Sequence, residues 1–297
     1  MNDVERNMEI SKLLSDVEKE PKKYHEFLRK IDIDELCKVD IIGVFGSSGS
    51  GKSSLIGKLA KLYRDEEKKV GIIAIDPTSS KSGGAFLGDR IRMRDLFEDH
   101  GVFIRSVSEK NTGLGLNSSI FSMVFILASN GFEKIFVETV GSGQTSVDIT
   151  SLCDLSLLVI SPGSGDEIQF MKAGGIEQAD ILVLNKSDLP EFEFLELELR
   201  NAMIQKRTVR VSTIKNENVD LLKDEIEVLL SKRKKSVGYC REKMKKRLKK
   251  HVELILFENL RKVLSSIEFD LSRYDVEMLR SRIVEDLYFM VKNEKGG

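Results

Sequence analysis

The chain has 297 residues, enough for one large or two ordinary domains. Hydrophobic residues make up 41% and charged residues 32%, with 47 Lys+Arg against 48 Asp+Glu, so a net charge of −1 points to no global polyanion partner. No window approaches 18 apolar residues, so a membrane span is not expected.

The opening Met1-Asn2-Asp3-Val4-Glu5-Arg6 is polar and mixed in charge, unlike a signal peptide, and a cytoplasmic setting is the expectation. Cys37, Cys153 and Cys240 stand far apart with no C-x-x-C pair, which fits a reducing compartment and predicts neither a disulfide framework nor a zinc site. His25, His100 and His251 are equally scattered and are expected at the surface or at helix ends. Between residues 3 and 38, Met8, Ile10, Leu13, Leu14 and Val17 recur near a 3.6 period. Pro21 then opens a second short helix with Tyr24, Phe27, Leu28 and Ile31. This stretch, 1–38, reads as a helical preface packed on the main domain.

From about Val39 to Leu230, short β-branched runs alternate with helical segments, giving expected strands at 39–45, 70–75, 102–105, 134–138, 156–161, 181–184 and 208–212. Several are apolar throughout, as parallel strands buried on both faces must be. The fold class is therefore α/β, a doubly wound and mostly parallel sheet over 39–231, with ligands expected beyond the carboxyl ends of the strands. After the first strand comes Gly46-Ser47-Ser48-Gly49-Ser50-Gly51-Lys52-Ser53, then a helix-forming stretch from Ser54 to Tyr63. This is the phosphate-binding loop in its required strand–loop–helix context. Its backbone N–H groups and the helix N-terminus would cradle phosphates, Lys52 would sit on the β- and γ-phosphates, and the Ser53 hydroxyl would join the shell of a Mg²⁺.

Asp76 follows the next strand and leads into a Gly/Ser-rich loop ending at Asp89, suited to a mobile switch. Both acids are hard oxygen donors suited to Mg²⁺, directly or through its waters. The strand Ile135-Phe136-Val137 ends in Glu138-Thr139-Val140-Gly141, where most phosphate-loop GTPases carry Asp-x-x-Gly. Glu138 should reach the metal and the Gly141 amide the γ-phosphate, while Gln144 is a candidate for orienting water. The strand Ile181-Leu182-Val183-Leu184 leads into Asn185-Lys186-Ser187-Asp188, the guanine reader. There the Asp188 carboxylate accepts from the guanine ring N–H and 2-amino group, the Lys186 stem covers the ring, and Asn185 braces the loop. That selects GTP over ATP. Ser212 and Thr213, ending the last strand, occupy the place where backbone amides touch the guanine carbonyl.

Past residue 231 the pattern changes. Lys232 to Lys250 holds eleven Lys/Arg and one acid, Glu242, and apolar residues at 237, 240, 244, 248, 252 and 255 form one stripe on a long helix. A further helix is expected from about Tyr274 to Lys292. The basic stretch reads either as a nucleic-acid patch or as the solvated face of a packing or dimerising helix. Without interleaved aromatics or a nucleic-acid motif the second is preferred.

Three blocks resemble the MeaB/ArgK/MMAA family of SIMIBI-class GTPases. They are Gly83-Gly84-Ala85-Phe86-Leu87-Gly88-Asp89-Arg90-Ile91-Arg92-Met93, Glu138-Thr139-Val140-Gly141-Ser142-Gly143-Gln144 and Gly165-Asp166-Glu167-Ile168-Gln169-Phe170-Met171-Lys172-Ala173-Gly174. The resemblance runs from about residue 8 to 290, although 106–117 follows the family's Arg-Gly-x-Leu-Gly-Gly block only loosely. It implies a GTP-hydrolysing chaperone of adenosylcobalamin-dependent acyl-CoA mutases, usually methylmalonyl-CoA mutase, which gates cofactor loading. It also implies a homodimer joined through C-terminal helices, with 232–297 as the dimerisation extension. By resemblance, Lys52, Ser53, Asp76, Asp89 and Glu138 are the phosphate and magnesium residues, Asn185, Lys186 and Asp188 the base readers, and Gly165–Gly174 a third switch. No cobalamin site is identified in the chain. Rival readings are a nickel-delivery GTPase of the same branch, whose Cys/His motifs are lacking here, a nucleic-acid or targeting GTPase using 232–250, and amino-acid transport, an older label of ArgK relatives.

Overall fold

A computed structural model describes residues 3–19, 33–77, 96, 98–109, 118–139, 149–163, 175–201, 205–236, 238–266 and 284–285. Seven strands form one sheet: β1 (Asp40–Phe45), β2 (Val70–Pro77), β3 (Val102–Glu109), β4 (Lys134–Thr139), β5 (Leu155–Ile160), β6 (Ile181–Leu184) and β7 (Thr208–Arg210). Their order is β3-β2-β4-β1-β5-β6-β7, and every neighbouring pair is parallel. All seven expected strands are present. β1, β4, β5 and β6 are buried along their whole length, which is what apolar runs with no polar alternation require.

The helices divide between the two faces. Helix α1 is Asp3–Lys19, α2 Ile33–Lys38, α3 Lys52–Asp65 and α4 Ser118–Ser129. They are followed by α5 Gly175–Gln178, α6 Phe192–Asn201, α7 Val219–Lys234 and α8 Tyr239–Ser266. On one face α3 and α7 pack together over Ile42, Val44, Phe136, Leu157 and Val183. On the other α4, buried on all sides, lies on β2 and β4 and is covered by α1 and α2. Ile10, Leu14 and Val17 of α1 are buried. Glu18 ties the helix to Arg105 of β3 at 2.8 Å. Gly71 marks how closely α4 approaches, since a Cβ there would lie 2.9 Å from the Leu127 side chain.

The chain resolves into two compact units, Met1–Arg247 and Leu248–Gly297, with the division inside α8. Among the described residues no helix is long and apolar enough to cross a membrane. The second preface helix and the helix expected from Tyr274 lie outside the described residues, apart from the helical pair Val284 and Glu285.

Three expectations need correcting. Cys37 of α2 and Cys240 of α8 are disulfide-bonded, with Cα atoms 5.7 Å apart across a separation of 203 residues. That pairing is made by the fold and leaves no trace in local spacing. His251 is buried in the middle of α8 rather than at a surface or helix end. The stripe on α8 is also displaced: Met244, Arg247, His251 and Leu254 are buried, whereas Leu248 and Val252 are 39% and 53% exposed. An arginine and a histidine substitute for apolar residues on the buried face, because Arg247 brings its own partner in Asp154 at 2.8 Å.

Candidate nucleotide site

Every chemically loaded loop leaves the carboxyl edge of the sheet, because all strands point the same way. β1 ends in the phosphate loop at Gly46, whose φ of 149° and close approach admit only glycine: a Cβ would lie 2.1 Å from the Val159 carbonyl of β5. Gly49 and Gly51 also take positive φ, 76° and 91°. Gly51 is the N-cap of α3 and supplies no side-chain cap, which leaves this helix start suited to an anion. Ser47, Ser50, Lys52 and Ser53 are buried, Ser48 and Gly49 are exposed, and Ser54 follows in the first turn of α3. The Lys52 ammonium donates to the carbonyls of Gly46 (3.1 Å) and Ser47 (2.8 Å), folded over the loop it would share with phosphate oxygens.

The Ser53 hydroxyl donates to Glu138 Oε1 at 2.8 Å, and both residues are buried. Glutamate at the end of β4 therefore does reach the first turn of α3, across the β1–β4 pairing that sets Val44 beside Glu138. A hydroxyl and a carboxylate converging at one point, beside a loop built for phosphate, fit a Mg²⁺ that takes few protein ligands and keeps its waters. Among the described residues no group of three His, Cys, Asp or Glu gathers into a fuller metal site. Among the described residues, three buried hydroxyls at this edge (Ser50, Thr139 and Ser161) have no hydrogen-bond partner, which a bound polar ligand or its waters would supply.

The base-reading loop is joined to the phosphate loop through one residue. Asn185 is fully buried, its amide N–H donates to Ile160 O at 2.7 Å, and its side-chain amide donates to Ser50 O at 2.8 Å. Its Oδ1 accepts from the Thr213 N–H at 3.4 Å. The fit is close enough that a Cβ on Gly51 would lie 2.2 Å from Asn185 Nδ2. Lys186 takes a left-handed φ of 60°, which turns the chain so that Asp188 comes back toward the β7 end. There the Ser212 hydroxyl donates to Asp188 Oδ1 at 2.5 Å and accepts from the Lys215 N–H at 3.1 Å. That hydrogen bond, with a backbone N–H and the nearby charges of Lys215 and Lys186, holds the Asp188 carboxyl below its ordinary range against the opposing effect of desolvation. Asp188 is thus an ionised acceptor at neutral pH.

The structure brings together Gly46 through Ser54, Glu138, Asn185, Lys186, Asp188, Ser212 and Thr213 on one edge. The Asp76 backbone ends β2 beside Ser108 of β3, at the same edge. Its side chain, with Asp89, Gly141, Gln144 and the Gly165–Gly174 segment, lies outside the described residues. Sequence reasoning placed Ser212 by its backbone. Its amide in fact donates to Glu217 O at 3.1 Å, and it is the hydroxyl that meets the site, through Asp188. A serine after a strand carries no signal of that role.

Comparison with known proteins agrees with this geometry. Residues 10–268 match the family described as Methylmalonyl Co-A mutase-associated GTPase MeaB. A Pyrococcus abyssi protein named as a GTPase is 38% identical over 257 residues, covering 83% of this chain and 79% of its own length. The Fused isobutyryl-CoA mutase of Geobacillus kaustophilus is 36% identical over 151 residues, covering 50% of this chain but only 14% of that protein. In fold, the crystal structure of an LAO/AO transport system kinase superposes with a TM-score of 0.63, at 21% identity, over 95% of this chain and 92% of that one. The chain belongs to the methylmalonyl-CoA mutase-associated GTPase MeaB family and is a P-loop enzyme that hydrolyses GTP.

Proposed function

We propose that this GTPase acts as a G-protein chaperone for an adenosylcobalamin-dependent acyl-CoA mutase, with nucleotide state gating the loading of the mutase cofactor. The observation that carries this reading is the family match over residues 10–268, joined to an Asn185-Lys186-Ser187-Asp188 loop that Asn185 ties to the phosphate loop. A related sequence inside a fused isobutyryl-CoA mutase supports a mutase as partner. Lys52, freed from the Gly46 and Ser47 carbonyls, would hold the β- and γ-phosphates. The loop amides and Lys52 stabilise the charge that develops as water attacks the γ-phosphate in line. Asp188 and Lys186 hold the base, with Ser212 keeping Asp188 aimed.

Mg²⁺, when bound, would neutralise phosphate charge. Ser53 and Glu138 would hold it, with Asp76 and Asp89 as further proposed ligands. Gln144 is proposed to orient water, the Gly141 amide to meet the γ-phosphate, and Gly165–Gly174 to sense the partner. Residues 1–38, 39–231 and 232–297 are proposed as preface, GTPase domain and dimerisation extension. The exposed Leu248, Val252 and Leu256 support a homodimer through C-terminal helices. The proposed setting is the cytoplasm, with no nucleic-acid partner and no cobalamin site in this chain.

The test is GTP turnover by the purified full chain with and without an adenosylcobalamin-dependent mutase, alongside a pull-down. A stable complex and slow basal hydrolysis accelerated by the mutase are expected. Basal turnover already in the range of tens per second, the stimulated range of GTPases, with no gain from any mutase would overturn the gating role.

A further inference from the structure

We propose that Cys37 and Cys240 form a reversible redox staple that fastens the first turns of α8 to the root of β1. Their Cα separation of 5.7 Å lies within the range a disulfide spans without backbone movement. Both residues are partly exposed, and both line one cavity of about 140 Å³ in which three cations, Lys234, Lys243 and Arg247, outnumber the one carboxylate, Asp154. Thiol exchange proceeds through the thiolate, which such a cationic wall favours over an apolar one. The third cysteine does not compete: Cys153 is buried, and desolvation pushes its thiol up to about 12, so it stays protonated and inert.

The two ends of the bond matter for where they sit. Cys37 is three residues before β1, the strand that runs directly into the phosphate loop. Cys240 is in the first turn of α8, next to the noncovalent grip of that helix on the start of β5. In that grip Arg247 Nε donates to Leu152 O at 2.6 Å and the guanidinium pairs with Asp154 at 2.8 Å. Asp154 in turn accepts from the Ile41 N–H at 2.9 Å. The helix start is therefore held twice, once by an ion pair with its hydrogen bond and once by sulfur. Reduction removes the second hold and leaves the first.

The exchange partner is a small-molecule disulfide of the glutathione class. The Cys240 thiolate attacks one sulfur of that disulfide and expels a small thiolate. The Cys37 thiolate then attacks Cys240 Sγ in the mixed disulfide and expels the second. Two electrons pass from the protein sulfurs to the external disulfide, and the two protons lost by the cysteines go to the two released thiols. Excess small thiol reverses both steps. The staple lies at the amino edge of the sheet, and among the described residues no nucleotide-loop residue lines its cavity, so the proposal does not rest on the mutase role.

The full chain, equilibrated with oxidised or reduced glutathione and then alkylated in denaturant, gives the reading. Oxidised protein is expected to show one alkylated thiol, at Cys153, and a Cys37–Cys240 linked peptide; reduced protein shows three alkylated thiols. Because the bond closes a loop of 203 residues, reduction should lower the melting temperature by about 10 °C. Cys37→Ser and Cys240→Ser should each melt at the reduced temperature in either buffer. Three free thiols after equilibration with oxidised glutathione, or glutathione left on both cysteines, would sink the proposal. A linked peptide with no change in melting would overturn the fastening role, and the wild-type measurements stand even if a variant fails to fold.

Discussion

Asn185 makes a hydrogen bond in each direction, to the phosphate loop at Ser50 and to the segment after β7 at Thr213, so the proposed base and phosphate loops share one rigid part. Asp188, three residues on, is the side chain proposed to separate guanine from other bases. Asp188→Asn keeps an oxygen for the Ser212 hydroxyl but replaces the acceptor that pairs with the guanine N–H groups by an NH₂ donor. GTP binding should fall about 100-fold or more and xanthine nucleotide binding should rise, since a buried polar mismatch costs powers of ten. Competition with labelled GTP and XTP checks it, and unchanged GTP preference would remove Asp188 from the base site. Residues of this kind were legible in the sequence because Gly-Lys-Ser and Asn-Lys-x-Asp are contiguous patterns. Ser212's hydroxyl was not, because its partner is 24 residues away and is fixed only once β6 and β7 pair.

At the scale of elements, the sheet carries a half-buried ionic knot at its amino edge. Lys134, at the start of β4, pairs with Asp40 of β1 at 2.9 Å and Glu227 of α7 at 2.5 Å, and lies 4.8 Å from the Tyr63 ring centroid of α3. Burial opposes the ionisation of Glu227, but the hydrogen bond and charge of Lys134 outweigh it and hold the carboxyl below its usual value. Burial, and then the Glu227 charge, push the Tyr63 phenol far up, so it remains a donor, at 2.8 Å to Glu227. Lys134→Ala would take one cation from Asp40, which keeps Lys234 at 2.7 Å, and from the 37%-exposed Glu227, which keeps the Tyr63 hydroxyl, and should destabilise the fold by about 1–2 kcal/mol, read from the urea midpoint. A loss under about 0.5 kcal/mol would show the knot to be open to water. The strands themselves were legible from their apolar runs. The knot was not, because a lysine at a strand end looks like a solvated boundary until α3 and α7 cover it.

For the molecule as a whole, Lys243 gives stability a dependence on pH. Desolvation, helped by Arg247 and only partly offset by Asp154, brings its ammonium down to about 8. Between that value and its ordinary 10.5 the unfolded chain holds a proton that the folded one has released, so its contribution grows as pH rises through this window and is lost on falling through 8. Tyr239 and Cys153, both raised to about 12, act in the opposite sense above their unfolded values, so the comparison must be with Lys243→Met. The stability of wild type relative to that variant should increase by up to about 3 kcal/mol from pH 8 to 10.5. A flat difference would place the ammonium in water. The α/β class and its single loaded edge could be read from the order of β and α patterns. The closing of the chain from Cys37 to Cys240 could not, since it depends on where α8 returns.

The parallel register also sorts the molecule for the experimenter. The phosphate loop and the proposed nucleotide residues occupy the carboxyl edge, while the knot around Lys134 and the Cys37–Cys240 bond occupy the other. The turn between α3 and β2, where Glu67 takes a φ of 61° and is exposed, opens onto that second edge. A fluorophore attached there would report unfolding yet stay silent through GTP binding, and so serve as the internal reference against which a dye on the phosphate-loop edge is read.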